Sequence, residues 1–243
     1  MRGPTTSGSP GLRLVRDVTV VVPAHDEADG IAACLASVDA AAAAIAPVPV
    51  RVVIVLDDCA DATADLARAF APTAATVAVE VRTVRLRRVG AVRAAGFAGG
   101  PRGARSWYAT TDADSLVPSS WLRAHLLSAG RHDMFVGTVD VVDWSPRPLG
   151  LAAAYAARYQ RASSHRHVHA TNLGVRASTY WQVGGFIDAG AHEDVALVSA
   201  VEAAGGVVDW SSAEPVVTSA RRSGRTPTGF SEYLNRLESG RPA

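Results

Sequence analysis

The hydrophobic pattern of this chain comes in blocks that alternate between two periods. Residues 17–23 run Asp17-Val18-Thr19-Val20-Val21-Val22-Pro23, a continuous apolar stretch suited to a strand buried on both faces. A polar loop follows, then a helical pattern from about 28 to 44, ended by Pro47 and Pro49. Residues 51–56 read as a second buried strand, followed by a helix to about Phe70. Residues 76–84 alternate and predict a third strand, and 90–99 a short helix. Residues 107–115 predict a strand that begins Trp107-Tyr108 and ends in two carboxylates, with Pro118 and Trp121 opening the next helix. This alternation predicts an α/β protein with a Rossmann-like, mostly parallel central sheet flanked by helices.

The second half reads differently. Residues 133–142 predict a Val-rich strand, 148–163 an amphipathic helix, and 170–176 a strand or connector. A short helix is expected over 180–186 and a longer one from about 191 to 204. Between them His165, His167 and His169 alternate, so in a strand they would share one face. Metal ligation, substrate contact and a plain polar face all fit that spacing. Residues 1–16 read as a flexible tail, and those after Ser219, rich in Arg, Gly and Pro, as a loose tail or lid.

Composition narrows the function. At 243 residues with 48% hydrophobic content the chain can bury a substantial core, and a net charge of +1 argues against a general nucleic-acid binder. Every basic residue is Arg, which excludes a P-loop Lys, a Schiff-base Lys and a Lys base. Cys34 and Cys59 are expected as separate reduced thiols in a cytoplasmic protein. No secretory signal or membrane span is expected: Asp39, Pro47 and Pro49 interrupt the longest apolar run.

The candidate chemistry is acidic. Strand ends carry Asp26 and Glu27, then Asp57 and Asp58, then Asp112 and Asp114. In a parallel sheet these ends share an edge, and carboxylates crowded there repel unless a cation, an Arg or ligand hydrogen bonds compensate them. Asp112-Ala113-Asp114 could hold a divalent cation, since Mg²⁺ takes one or two protein carboxylates and completes its shell with water and substrate phosphates. A turn or helix cap is the plain alternative. His192, Glu193 and Asp194 open a helix, where acids favour the dipole; a general base is the functional reading. Neither the Gly-x-Gly-x-x-Gly turn of a dinucleotide fold nor a P-loop follows the first strand.

Taken in order, several motifs resemble the inverting glycosyltransferases of family two, which have the GT-A fold. They are Val20-Val21-Val22-Pro23-Ala24-His25-Asp26-Glu27, Leu56-Asp57-Asp58-Cys59-Ala60-Asp61-Ala62-Thr63, Gly90-Ala91-Val92-Arg93-Ala94-Ala95-Gly96, Thr111-Asp112-Ala113-Asp114, Asn172-Leu173-Gly174-Val175-Arg176, Val183-Gly184-Gly185-Phe186 and Glu193-Asp194. The resemblance implies a single GT-A domain over 17–218, with 17–115 as the nucleotide-sugar half and 116–218 as the acceptor half, including a small acceptor-side subregion.

It also implies a nucleoside-diphosphate-sugar donor, Mg²⁺ or Mn²⁺, and a small-molecule, lipid or glycan acceptor. Pro23, Ala24 and Glu27 would line the nucleoside pocket, Asp58 would bond the base, and Arg93 would lie near the diphosphate or ribose. Asp112 would contact ribose, sugar or metal, and Asp114 would ligate the metal. Asn172 and Glu193 would touch substrate, and Asp194 would deprotonate the acceptor hydroxyl. No Gln/Arg-x-x-Arg-Trp-like motif follows Asp194, which disfavours a processive synthase. The rival readings are a non-catalytic nucleotide-sugar binder and a nucleotidyltransferase; peripheral membrane contact stays open.

Overall fold

The computed structural model describes residues 15–159, 165–224 and 229–240. The first two apolar runs form β1 (Asp17–Ala24) and β2 (Val50–Asp57), buried almost throughout because they pair in parallel in the sheet interior. β3 (Val77–Val84) is half-buried and carries Glu80 and Arg82, as suits an edge strand. β4 (Ser106–Thr110), buried at every position, flanks β1 on the other side. The helices between these strands are α1 (Ile31–Ala43), α2 (Thr63–Phe70) and α3 (Val89–Phe97).

The order of the seven-stranded sheet is β3-β2-β1-β4-β6-β5-β7. β5 (Met134–Asp140) and β7 (Val208–Val217) pair in parallel, while β6 (Leu173–Arg176) runs antiparallel to both β4 and β5. One face packs α1 and α4 (Trp121–Ser128) over Trp107 and Trp121. The other packs α3, α6 (Ala177–Gln182) and α7 (Glu193–Ala203) around Tyr108, Tyr180 and Phe186. Gly96 lets α3 lie directly on β1, since a Cβ there would come within 2.5 Å of Val21 Cγ1. A smaller cluster joins α5 (Leu151–Arg158) and α8 (Phe230–Glu238) to the end of β5. From β1 the chain builds β2 and β3 to one side and then returns to add β4 on the other. The crevice at the carboxyl ends of β1, β2 and β4 is therefore a topological switch point, where open α/β sheets bind ligands.

Several elements depart from the sequence expectation. The strand read over 107–115 stops at Thr110: Thr111 N–H still bonds Val21 O, and the chain then turns, with Ser115 N–H on Asp112 O. The short helix expected over 180–186 lies at Ala177–Gln182, and Gly184 and Gly185, both at positive φ, make the turn after it. The histidine run is not a strand. The helix expected over 148–163 is α5, and residues 160–164 lie outside the described residues, as do residues 1–14 of the expected tail.

β7 was hidden by Ser211, Ser212, Glu214 and Pro215. As an outermost strand with a register shift opposite Gly137–Val139 and Glu214 at φ 56°, it tolerates them. The segment after Ser219 carries α8, whose Leu234 and Leu237 are buried in the cluster with Tyr155. No described helix is long and apolar enough to cross a membrane.

Candidate active site

A cleft of about 1450 Å³ opens at the switch point. Three loops at strand ends shape it through their own carboxylates. After β1, Asp26 adopts φ 52° and accepts the Ala60 and Asp61 N–H groups at 2.7 and 3.2 Å. After β2, Asp57 accepts the Leu86 and Arg87 N–H groups at 2.7 and 2.8 Å, which ties the β3–α3 loop to the site. Asp58, at φ 51°, pairs with Arg87, whose hydrogen bond holds its carboxyl below the usual range, with further pull from Arg85. Asp26, Asp57 and Asp58 all line the cleft; the first two also build its loops by accepting backbone N–H groups, whereas Asp58 pairs with arginine side chains.

Past β4 the acids meet two arginines. Arg93 of α3 is buried, 2.6 Å from Asp112 and also paired with Glu193 at the start of α7. Burial raises the Glu193 carboxyl, and Arg93 works against that rise. Asp112 N–H donates to Thr171 Oγ1 at 3.2 Å. Asp114 is pushed up to about 6, first by burial and then by Asp112 and Glu27, with Arg221 opposing. Arg221 Nη2 lies 3.3 Å from Asp114, while Nη1 bonds both oxygens of Glu27 at 2.8 and 2.6 Å. Two guanidinium groups thus supply the compensation that clustered acids require. Across the cleft, Asp194 accepts the Ala170 N–H at 3.0 Å through Oδ2 and the Val195 N–H at 2.8 Å through Oδ1.

The model of glycosyl transferase family 2 matches residues 19–184, more than half of the chain. The chain belongs to that family. No curated protein sequence matches it. Among solved structures, S. aureus TarS 1-349 in complex with UDP-GlcNAc is similar at 14% identity and TM-score 0.64, over 92% of this chain and 66% of that one. The mannosyltransferase PcManGT from Pyrobaculum calidifontis, in complex with GDP-Man and Mn²⁺, is similar at 18% identity and TM-score 0.64, over 92% and 70%. Glucosyl-3-phosphoglycerate synthase from Mycobacterium tuberculosis, with Mn²⁺, UDP and glucosyl-3-phosphoglycerate, is similar at 16% identity and TM-score 0.55, over 100% and 87%. At these identities the likeness is one of fold, and the chain spans about two thirds of the length of TarS 1-349.

In this family-2 chain Pro23, Ala24, Glu27, Asp58, Arg93, Asp112, Asp114, Glu193 and Asp194 all line the one cleft. Asn172 does not. It is fully buried, its Oδ1 accepting from Trp121 Nε1 at 2.9 Å and its Nδ2 donating to Thr138 O and Glu214 O at 2.8 and 3.1 Å. Its side chain ties α4, β5 and β7 together and leaves no group for a substrate. Arg93 lines the cleft and joins α3 to Asp112 and Glu193, while its buried Nε has no hydrogen-bond partner among the described residues.

Sequence reasoning missed Arg221. The Arg221-Arg222 pair was the signal, but nothing local tied it to Glu27, 194 residues away. Among the described residues no three His, Cys, Asp or Glu side chains gather as a metal-ligand set. Asp112 and Asp114 nonetheless fit a divalent cation bound jointly with a diphosphate. They provide two carboxylates, the number Mg²⁺ takes when phosphates and water complete its shell, and burial disfavours Asp114's charge unless a cation is near.

Proposed function

We propose that this protein is a metal-dependent, non-processive glycosyltransferase that moves a sugar from a nucleoside-diphosphate-sugar to an acceptor hydroxyl, with inversion. The observation that carries the reading is that Asp58, the Asp112/Asp114 pair and Asp194 face one cleft at the switch point of a family-2 domain. Pro23, Ala24 and Glu27 line the nucleoside end, and Asp58 accepts from a ring N–H of the base. Asp112 and Asp114 hold Mg²⁺ or Mn²⁺, which supplies Lewis-acid stabilisation of charge on the leaving diphosphate. Asp194, fixed by the Ala170 and Val195 N–H groups, takes the proton of the acceptor hydroxyl as that oxygen attacks the anomeric carbon. Attack from the face opposite the diphosphate inverts the centre. The free thiols Cys34 and Cys59 support a cytoplasmic setting.

A panel of UDP- and GDP-sugars with Mn²⁺ tests this. At a hundred times Kd the correct donor adds about 2.7 kcal/mol of apparent stability, a shift of several degrees at about 2–4 °C per kcal/mol. It also releases nucleoside diphosphate when an acceptor is present. Binding without any diphosphate release identifies a non-catalytic binder, and no response to any donor overturns the assignment.

A further inference from the structure

The two ends of the cleft are built from different chemistry. The described lining residues supplied by the end of β5, by Tyr159, by residues 166–171 and by the start of α8 include no carboxylate. The wall there is made of rings. Tyr159, buried just after α5, gives its hydroxyl to the backbone by accepting the Val139 N–H at 3.0 Å. Its face stacks on His167, with centroids 4.2 Å apart and planes 14° apart. His169 continues the ladder 6.3 Å from His167 and meets Phe230 of α8 edge-on at 5.9 Å. His167, His169 and Phe230 are half-exposed in the cleft, and Tyr233 stacks beside Phe230. The wall adjoins the reacting end, since Ala170, next after His169, donates its N–H to Asp194.

This wall is neutral. Burial holds the His169 imidazole well below the ordinary histidine range, and neighbouring His167 and His165 lower it further; His167 is lowered in the same way. A neutral imidazole carries one donor and one acceptor, and the His169 Nε2 has no hydrogen-bond partner among the described residues, which suits a hydroxyl better than a carboxylate or phosphate. The described guanidinium that lines this wall is engaged: Arg166 sits over the Trp210 ring at 4.6 Å and pairs with Glu202 at 3.3 Å. Among the described residues that line this wall, the guanidinium is already paired and none is a carboxylate. Flat ring faces with neutral polar edges complement a ring that has C–H faces and hydroxyl edges.

We infer that His167, His169, Phe230 and Tyr233, backed by Tyr159, form the acceptor subsite and that it takes an uncharged, hydroxylated ring such as a glycoside. The inference rests on the glycosyl-transfer reading, which assigns Asp194 to the acceptor hydroxyl. It is tested by saturation-transfer NMR on the full chain with diamagnetic Mg²⁺ and UDP or GDP, using three probes: methyl α-D-glucopyranoside, methyl α-D-mannopyranoside and anionic 3-phosphoglycerate. A neutral glycoside should receive saturation at its ring protons and 3-phosphoglycerate should not.

Phe230→Ala should cut the glycoside signal roughly fivefold, and Phe230→Trp, which keeps an aromatic face, should retain it. The melting temperature of each variant shows that it is folded. If neither nucleotide shifts the wild-type melting temperature, the glycosyl-transfer reading falls and this inference with it. If a nucleotide binds but no neutral glycoside gives a signal, or only 3-phosphoglycerate does, or Phe230→Ala leaves the signal intact, the inference alone is overturned.

Discussion

Arg221 holds Glu27 by both carboxylate oxygens, at 2.8 and 2.6 Å, and so ties the segment after β7 to the loop after β1. The same guanidinium reaches Asp114. A single cation thus stands between two acids at the position where a divalent ion is proposed to bind.

Arg221→Ala leaves those two largely buried carboxylates without their partner. Removing one member of a buried pair costs about 3–5 kcal/mol, so the melting temperature should fall on the order of 10 °C at about 2–4 °C per kcal/mol. Mn²⁺ should then raise the melting temperature of the variant more than that of the wild type, because the ion replaces the lost charge. Scanning fluorimetry with and without Mn²⁺ decides it. Equal increments in the two proteins would show that ion and guanidinium do not share a place.

The Asp114 carboxyl, raised from 3.8 to about 6, makes stability depend on pH. In the window between about 4 and 6 the folded protein binds this proton more tightly than the unfolded chain does. The group's contribution is therefore most favourable below pH 4 and is lost as pH rises through 6, a change of about 3 kcal/mol. Asp114→Asn should flatten that part of the profile. Urea titrations from pH 4 to 7 on both proteins measure the difference, and parallel profiles would contradict the raised carboxyl.

Asp194→Asn keeps the shape and an oxygen for the Ala170 N–H but cannot take up a proton. Transfer should drop by roughly 10²-fold or more, in line with general-base losses, while nucleoside-diphosphate binding stays near normal. If Asp194 were only a helix cap, catalysis would stay intact and stability would fall by about 1 kcal/mol. Transfer rate and melting temperature, both taken on this variant, separate the two roles.

Asn172→Ala should act on stability and not on substrate. It leaves Trp121 Nε1, Thr138 O and Glu214 O without their partner, and a buried polar group left unpaired costs about 1–3 kcal/mol. The urea midpoint should fall markedly, while the donor KM of the molecules that remain folded should match the wild type. A raised donor KM would return Asn172 to the substrate.

The first half of the chain was legible from its residues because its signals are local. Parallel interior strands need unbroken apolar runs, so β1 and β2 stand out in the sequence, and each ends at the carboxylates that face the crevice. That the Asp112/Asp114 pair and Asp194 reach the cleft was likewise readable from their places after a strand and at a helix start, and the ordered motifs pointed to the family that the chain belongs to. The second half was decided by contacts between distant residues. β7 is polar enough to hide and becomes a strand only because β5 offers it a partner edge. Asn172 sits in a recognisable motif, yet α4, β5 and β7 enclose it and use all its hydrogen-bonding groups. Arg221 is an ordinary arginine in sequence, and Arg93, though it stands in a family motif, carries no local sign of its partners. Which carboxylates they neutralise depends on α3, α7 and the segment after β7 arriving at one crevice, and charge pairing across 100 or 194 residues leaves no periodic trace in a chain.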